Sequence, residues 1–300
     1  MTIKQRNYKS PEDFELIGDF LLRHYQPNNR DGNWLQPTWE YMHSHPFLDE
    51  SALGKIGIWD DSGEIVAVAH YESRLGEVFF ETHTDYAHLK PAMLEYGEKH
   101  LYGISDDKQR YVRAYINDFD KDFEILVQSR GYQRWADGDR PMSQFIIPDP
   151  FPEISLPSGF RLKSLQDDNN LSKIHRVLWR GFGHEGEPPE DELEGRRKMQ
   201  SGPNFRKDLN IVVEGPDGYF VAYCGTWYDQ VNRIAYVEPV ATDPDYRRLG
   251  LGKAAVLEGI RRCGEEGATV AFVGSNLKFY LALGFQQVFN SRCWKKILPP

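Results

Sequence analysis

The stretch Arg247-Arg248-Leu249-Gly250-Leu251-Gly252-Lys253 sets two glycines among three cations, just ahead of the run AAVLEGI. Val256, Leu257 and Ile260 recur at helical spacing, so the glycines fall at a helix N-terminus. The first amides of a helix have no partner inside it and carry a partial positive charge. Glycine removes the side chains that would hold an anion away from those donors. The expected chemistry is a pyrophosphate cradle, with Arg247, Arg248 or Lys253 as countercharge. Local stability does not account for the glycines, since each costs about 1 kcal/mol against alanine inside a helix. The GxxxxGK[ST] loop is absent, and so is a GxGxxG loop followed by a ribose-binding acid in a βαβ unit.

Positioning such a loop takes a strand before it and a helix after it, and the chain offers this order twice. PDPFPEISLPSG at 148–159 holds Pro148, Pro150, Pro152 and Pro157 and reads as an extended linker near the midpoint. On each side an amphipathic helix comes first, from Ser10-Pro11 to about His24 and from Asn170 to Phe182, with Ser10 read as the cap of the first. Hairpins follow at 56–71 and 210–227, each around a Gly turn. Then come a strand (77–82; 233–240), a helix (90–100; 251–264) and a strand (111–116; 269–273). A short helix ends at Gly131-Tyr132 or Gly284-Phe285, and a last strand closes each half (142–147; 293–297). The expectation is an α+β (mixed α/β) chain of two similar domains, 1–147 and 159–300, joined by the 148–158 linker. Each has a central, mostly antiparallel mixed sheet flanked by helices.

Composition bounds the partners. With 300 residues, 40% hydrophobic and 27% charged, the chain has ordinary globular composition, which disfavours disorder, collagen and coiled coil. No apolar run approaches the ~18 residues of a membrane span, and MTIKQRNYKS lacks the apolar core of a secretory signal, so a cytoplasmic protein with no membrane partner is expected. Cys224, Cys263 and Cys293 are too few and too far apart for a disulfide framework or a CxxC metal site. A net charge of −9 argues against nucleic acid. Residues 1–150 carry 16 basic and 26 acidic side chains, and the rest 20 and 19. A polyanion therefore suits the second half, and a cation is drawn to the first.

Arg247 to Gly252 fits the [QR]xxGx[GA] motif of the GNAT superfamily of acyl-CoA-dependent N-acyltransferases, which residues 235–297 resemble closely and 159–300 more loosely. Ala241-Thr242-Asp243-Pro244 before it, and Ser275-Asn276-Leu277-Lys278-Phe279-Tyr280-Leu281-Ala282-Leu283-Gly284-Phe285 after it, are similar to that family's flanking segments. The paired halves resemble a tandem-GNAT arrangement with a degenerate N-terminal copy. The resemblance implies acetyl-CoA as cosubstrate and no metal. Strand 233–242 splays from its neighbour, and backbone groups at Val240, Ala241 and Thr242 bind the pantetheine arm. Amides of Leu249, Gly250, Leu251, Gly252, Lys253 and Ala254 hold the pyrophosphate, and Asn276 adds to the cofactor site. Tyr280 corresponds to the general acid for the thiolate. Glu238, four residues before Thr242 on one strand face, is the candidate base, directly or through water, or a structural residue.

The matching region of the first half, Tyr86-Ala87-His88-Leu89, has no glycine, and Val127 stands where the second half has Tyr280. No acyl-CoA site is expected in 1–147, which serves instead to shape the substrate cleft. Acceptor-site candidates come from the segments after the first helices: Trp34 in 32–49, and Trp179 and His184 around 181–192. The aromatic cluster equally suits core packing. His43 and His45 lack further ligands at metal spacing. The sequence and the resemblance together lead to the expectation of an acetyl-CoA-dependent N-acetyltransferase acting on a primary amine of a small molecule by direct attack, as monomer or homodimer. The alternatives are a non-catalytic acyl-CoA sensor and a protein-modifying acetyltransferase.

Overall fold

In the first half, alternation and helical periodicity resolve into β1 (Ile3–Asn7), α1 (Glu12–His24), α2 (Gln36–Ser44), β2 (Gly57–Asp61), β3 (Glu64–His70) and β4 (Glu77–Thr82). They continue as α3 (Lys90–His100), β5 (Gly103–Ile104), β6 (Arg110–Asn117), α4 (Lys121–Ser129), β7 (Gln133–Arg134) and β8 (Arg140–Ile146). The second half gives β9 (Arg161–Ser164), α5 (Leu171–Gly181), α6 (Leu193–Met199), β10 (Ile211–Glu214), β11 (Phe220–Asp229) and β12 (Ile234–Thr242). It ends with α7 (Leu251–Glu265), β13 (Val270–Val273), α8 (Lys278–Leu283) and β14 (Gln286–Ile297). This computed structural model describes residues 3–189 and 193–299, so the end of the 181–192 segment lies outside the described residues.

Both halves are mixed α/β units. Residues 147–157 carry neither helix nor strand, as four prolines dictate. The expected hairpins form as β2–β3 and β10–β11, both antiparallel. Asn170 caps α5 through its side-chain oxygen and the Lys173 N–H, at 3.0 Å. The expected Ser10 cap of α1 does not form. Pro11 occupies the cap position without a side-chain bond. The Asp13 and Phe14 N–H groups donate to the Lys9 and Pro11 carbonyls at 3.0 and 3.1 Å, and the Asp13 carboxylate accepts from the Lys9 N–H at 2.6 Å and from Arg6.

The chain divides into two compact units, and the closing strands are where the sequence expectation fails. The first unit comprises 1–43, 47–142 and 287–300, and the second 44–46 and 143–286. In the first, the strand order is β1-β2-β3-β4-β6-β14, with β4 and β6 parallel. In the second it is β9-β10-β11-β12-β13-β8, with β12 and β13 parallel. The order is the same in both, but each unit is closed by the strand expected to close the other half. β14 pairs antiparallel with β6 from Ser291↔Asn117 to Ile297↔Tyr111, and β8 pairs antiparallel with β13 from Val270↔Ile146 to Val273↔Ser143. Side-chain fit decides the exchange. Cys293 packs with Phe79 and Tyr115, Trp294 enters the first unit's core, and Phe145 packs on Phe285 in the second. Period-two alternation specifies a strand but not its sheet.

Trp294→Ala should therefore cost about 3–5 kcal/mol, and the loss should fall in the first unit. Hydrogen exchange followed by mass spectrometry should show faster uptake in β6 with β13 unchanged. Faster uptake in β13 alone would refute the exchange.

Candidate active site

The second unit's sheet opens along one seam. β12 pairs with β13 only over Ile234–Tyr236, opposite Val270–Phe272. Beyond Tyr236 it continues against β11 alone, with Cys224↔Val240, Tyr223↔Ala241 and Ala222↔Thr242. The backbone of Val237–Thr242 thus has a ladder on one side and no strand on the other, as the sequence expectation required. Such an edge accepts an extended polar chain as an added strand.

The end of β12 is fixed on both faces. On one, Ala241 packs with Val177 and Leu178 of α5, and a Cβ on Gly181 would lie 2.6 Å from the Ala241 Cβ. On the other, a Cβ on Gly252 would meet the Thr242 Oγ1 at 2.5 Å and the Phe279 ring at 3.6 Å. Gly252 thus lets the first turn of α7 approach the β12 end. Gly250 serves a different purpose. It caps α7 at φ +82, where a side chain is strained, and a Cβ there would meet nothing within 4 Å. No side chain caps this helix start, and the first bond is Ala254 N–H to the Gly250 carbonyl at 2.9 Å. The amides of Leu251, Gly252 and Lys253 have no acceptor within the helix.

The three cations near this turn separate by role. The Arg247 guanidinium donates to the carbonyls of Thr242 at 3.3 Å and Gly181 at 3.0 Å, tying the loop to β12 and α5. Arg248 and Lys253 are exposed and make no ion pair among the described residues. The loop hangs on Asp243, which is fully buried. Its carboxylate accepts from Arg176 at 3.1 Å, from Arg180 at 2.7 and 3.1 Å, and from the Asp245 N–H at 3.1 Å. Burial alone would raise its pKa. Arg180, the Asp245 amide and Arg176 outweigh that and hold it below the ordinary carboxylate range. Sequence reading missed this clamp, although arginines four apart on α5 and an Asp-Pro after the strand were its visible signal.

Tyr280 lies in α8, its ring buried against Phe279 and Phe285. Its hydroxyl makes no hydrogen bond among the described residues. Burial raises its pKa well above the ordinary phenol value, and the nearby Glu238 charge, then Cys224, push the same way. The phenol is therefore protonated at neutral pH, and the Glu238 carboxylate lies close enough to be felt by it. Strand alternation alone does not place Glu238 on the Thr242 face. Val237 and Val240, three apart, pack in the same core cluster, because the β11–β12 register shifts between Cys224 and Thr226. The Glu238 carbonyl accepts from the Trp227 indole at 3.1 Å.

The remaining sequence candidates are dispersed. Asn276 is exposed in the turn before α8, and Leu249 is exposed beside Gly250. Trp179 stacks on His184 with ring centroids 4.2 Å apart and donates to the Glu185 carbonyl at 3.3 Å. Trp34 belongs to the first unit. There it lies edge-on to His70 and Phe79, and its backbone N–H donates to Glu81 at 2.7 Å. Phe279, beside Gly252, was not anticipated. An aromatic one position before Tyr280 in a helix this short carries no distinctive signal.

Gly252→Ala should lower stability by about 1–3 kcal/mol through overpacking on Thr242. Adding Thr242→Ala, which removes the obstructing oxygen, should restore the melting temperature. Asp243→Asn should cost about 3 kcal/mol by removing the buried charge that Arg176 and Arg180 share, read as a lower midpoint in urea.

Comparison with known proteins follows the same lines. A model described as the Acetyltransferase (GNAT) family matches residues 171–285. The chain is 25% identical over 197 residues to a mycothiol acetyltransferase of Saccharomonospora viridis, covering 55% of this chain and 64% of that protein. A GCN5-related N-acetyltransferase from Sphaerobacter thermophilus superposes with a TM-score of 0.67 at 17% identity, over 99% of this chain and 96% of that one. A tandem GNAT protein from the clavulanic acid biosynthesis pathway gives a TM-score of 0.66 at 13% identity, over 100% and 99%. The two structural likenesses establish the fold, and the family match covers β12, α7 and α8. The GNAT family match thus falls within the second unit, and the two likenesses show that the whole chain has the fold of those structures.

Proposed function

We propose that the second unit transfers an acetyl group from acetyl-CoA to a primary amine of a small molecule, by direct attack of the amine on the thioester. The observation that carries this reading is the open edge of β12 beyond Tyr236, which leads to the uncapped start of α7 and shares its core with Tyr280.

In this reading the backbone at Val240, Ala241 and Thr242 holds the pantetheine amides along the open edge. The α7 amides take the pyrophosphate, where aligned peptide dipoles favour negative charge. Arg248 and Lys253 supply countercharge, while Arg247 positions the loop through its two carbonyl contacts. Leu249, exposed next to the cradle, and Asn276 border the cofactor. The amine nitrogen forms a bond to the acetyl carbon, and the carbon–sulfur bond breaks. The thiolate then takes a proton from the Tyr280 hydroxyl, and the amine's surplus proton leaves through Glu238, directly or through water. A phenol with a raised pKa remains loaded with its proton across the physiological range, which suits an acid. Trp179 and His184 are assigned to the acceptor side as a stacked pair, and the first unit is assigned no acyl-CoA of its own.

The test is acetyl-CoA-dependent thiol release against a panel of primary amines. Tyr280→Phe should lower kcat by about 10²-fold or more while acetyl-CoA affinity stays unchanged. Gly250→Asp, which adds both strain and a carboxylate at the cradle, should abolish acetyl-CoA binding. Equal turnover by Tyr280→Phe would remove the acid role, and tight binding by Gly250→Asp would remove the cradle. Binding without turnover on any amine would favour the sensor reading.

A further inference from the structure

The first unit has a divergence of its own. β4 pairs with β6 only at Glu77↔Arg113 and Val78↔Ala114. Past that point the strands part around a cavity of about 320 Å³. Thr82 and His83 line it from the β4 side, and Tyr115 and Asn117 from the β6 side. Nothing in the assignment of the acetyltransferase site uses this cavity.

Its chemistry differs from that of the α7 cradle. The chain enters α3 through a 3-10 turn, Thr84–Leu89, whose amides are already spent: Tyr86 N–H donates to the His83 carbonyl at 2.9 Å, and Lys90 N–H to Ala87. Pro91, at the start of α3, has no N–H to give. No open amide row faces this cavity, so it offers nothing comparable to bind a pyrophosphate.

What it offers is acceptors. Asp31 lines the cavity and has no cationic partner among the described residues. Burial raises its carboxyl pKa to about 6, although the N–H groups of Gln26, Asp31 and Asn33 face it and lower it, with Glu81 adding a further rise. Asn117 donates its Nδ2 to the Gly32 carbonyl at 2.8 Å, which leaves its Oδ1 with no hydrogen bond among the described residues. Glycine is required at 32, because a Cβ there would lie 2.1 Å from the Asn117 amide and 2.6 Å from the Phe119 ring. That contact holds Asp31 against the β6 end. Phe80 and Phe119 add aromatic surface, which attracts cations.

The other charged groups facing the cavity do not supply the missing cation. Lys90 is paired with Asp120. Arg30 is exposed at the rim and makes no ion pair with Asp31. The His83 Nδ1 accepts from the Asp85 N–H at 3.1 Å. Residues 1–150, with 26 acidic against 16 basic side chains, favour the approach of a cation.

We propose that the cavity between the diverging ends of β4 and β6 is a second ligand site, which binds a small organic ammonium ion with Asp31 as its counter-ion. The ammonium donates to the Asp31 carboxylate and the Asn117 Oδ1, and its apolar part lies against Phe80 and Phe119. The site is distinct from the acetyl-transfer cleft of the second unit.

Isothermal titration calorimetry of the full chain with phenethylamine tests this, with phenethyl alcohol as the neutral counterpart. Phenethylamine should bind at pH 8 at least tenfold more tightly than the alcohol. Asp31→Asn should weaken it at least tenfold, and Ala87→Trp, an exposed lining position, should block it while leaving Asp31 intact. The ammonium stays charged from pH 8 to pH 5 while Asp31 takes up a proton, so wild-type affinity should fall about tenfold over that interval. No heat with the amine, equal affinity for the alcohol, or unchanged binding in folded Ala87→Trp would each overturn the proposal.

Discussion

The second unit depends on one buried carboxylate. Asp243 follows β12, begins the turn into α7 and is fully enclosed. A charge removed from water is tolerated only when its lone pairs are met, and two arginines and an amide meet them here. Because the arginines come from α5 and the amide from the α7 approach, the ion cluster fixes three elements at a single point. The open edge at Val240–Thr242 and the uncapped amides of α7 are held in place by it. Arg247 reinforces the same joint by bonding carbonyls of β12 and α5.

The two units share a strand order and differ at the helix that follows the diverging strand. In the second, two glycines leave an uncapped helix start against the strand end. In the first, a 3-10 turn and a proline consume or remove the corresponding donors, and a half-buried carboxylate lines the gap. The same backbone divergence thus presents donors in one case and acceptors in the other.

Much of this was legible in the residues. The glycine loop, the hairpins, the proline break and the helices have local causes, so short windows contain their signal. The repeat was visible in the order of elements. Glu238 was harder to place, because an extra residue in β12 between Val237 and Val240 breaks the period-two rule. Ser10 does not serve as a cap because the Asp13 and Phe14 amides donate to the Lys9 and Pro11 carbonyls instead.

The sequence by itself determined the elements, the glycine-led helix start of α7, and the tyrosine set four residues before Gly-Phe. These depend on backbone conformation and on spacings of a few residues. Only the tertiary structure decided which strand closes which unit. It also decided that Arg247 serves the loop's own carbonyls, and that Asp31 lies beside Asn117, 86 positions away. Such pairings are settled by side-chain volume, desolvation and hydrogen-bond satisfaction between distant segments, and no local window contains both partners.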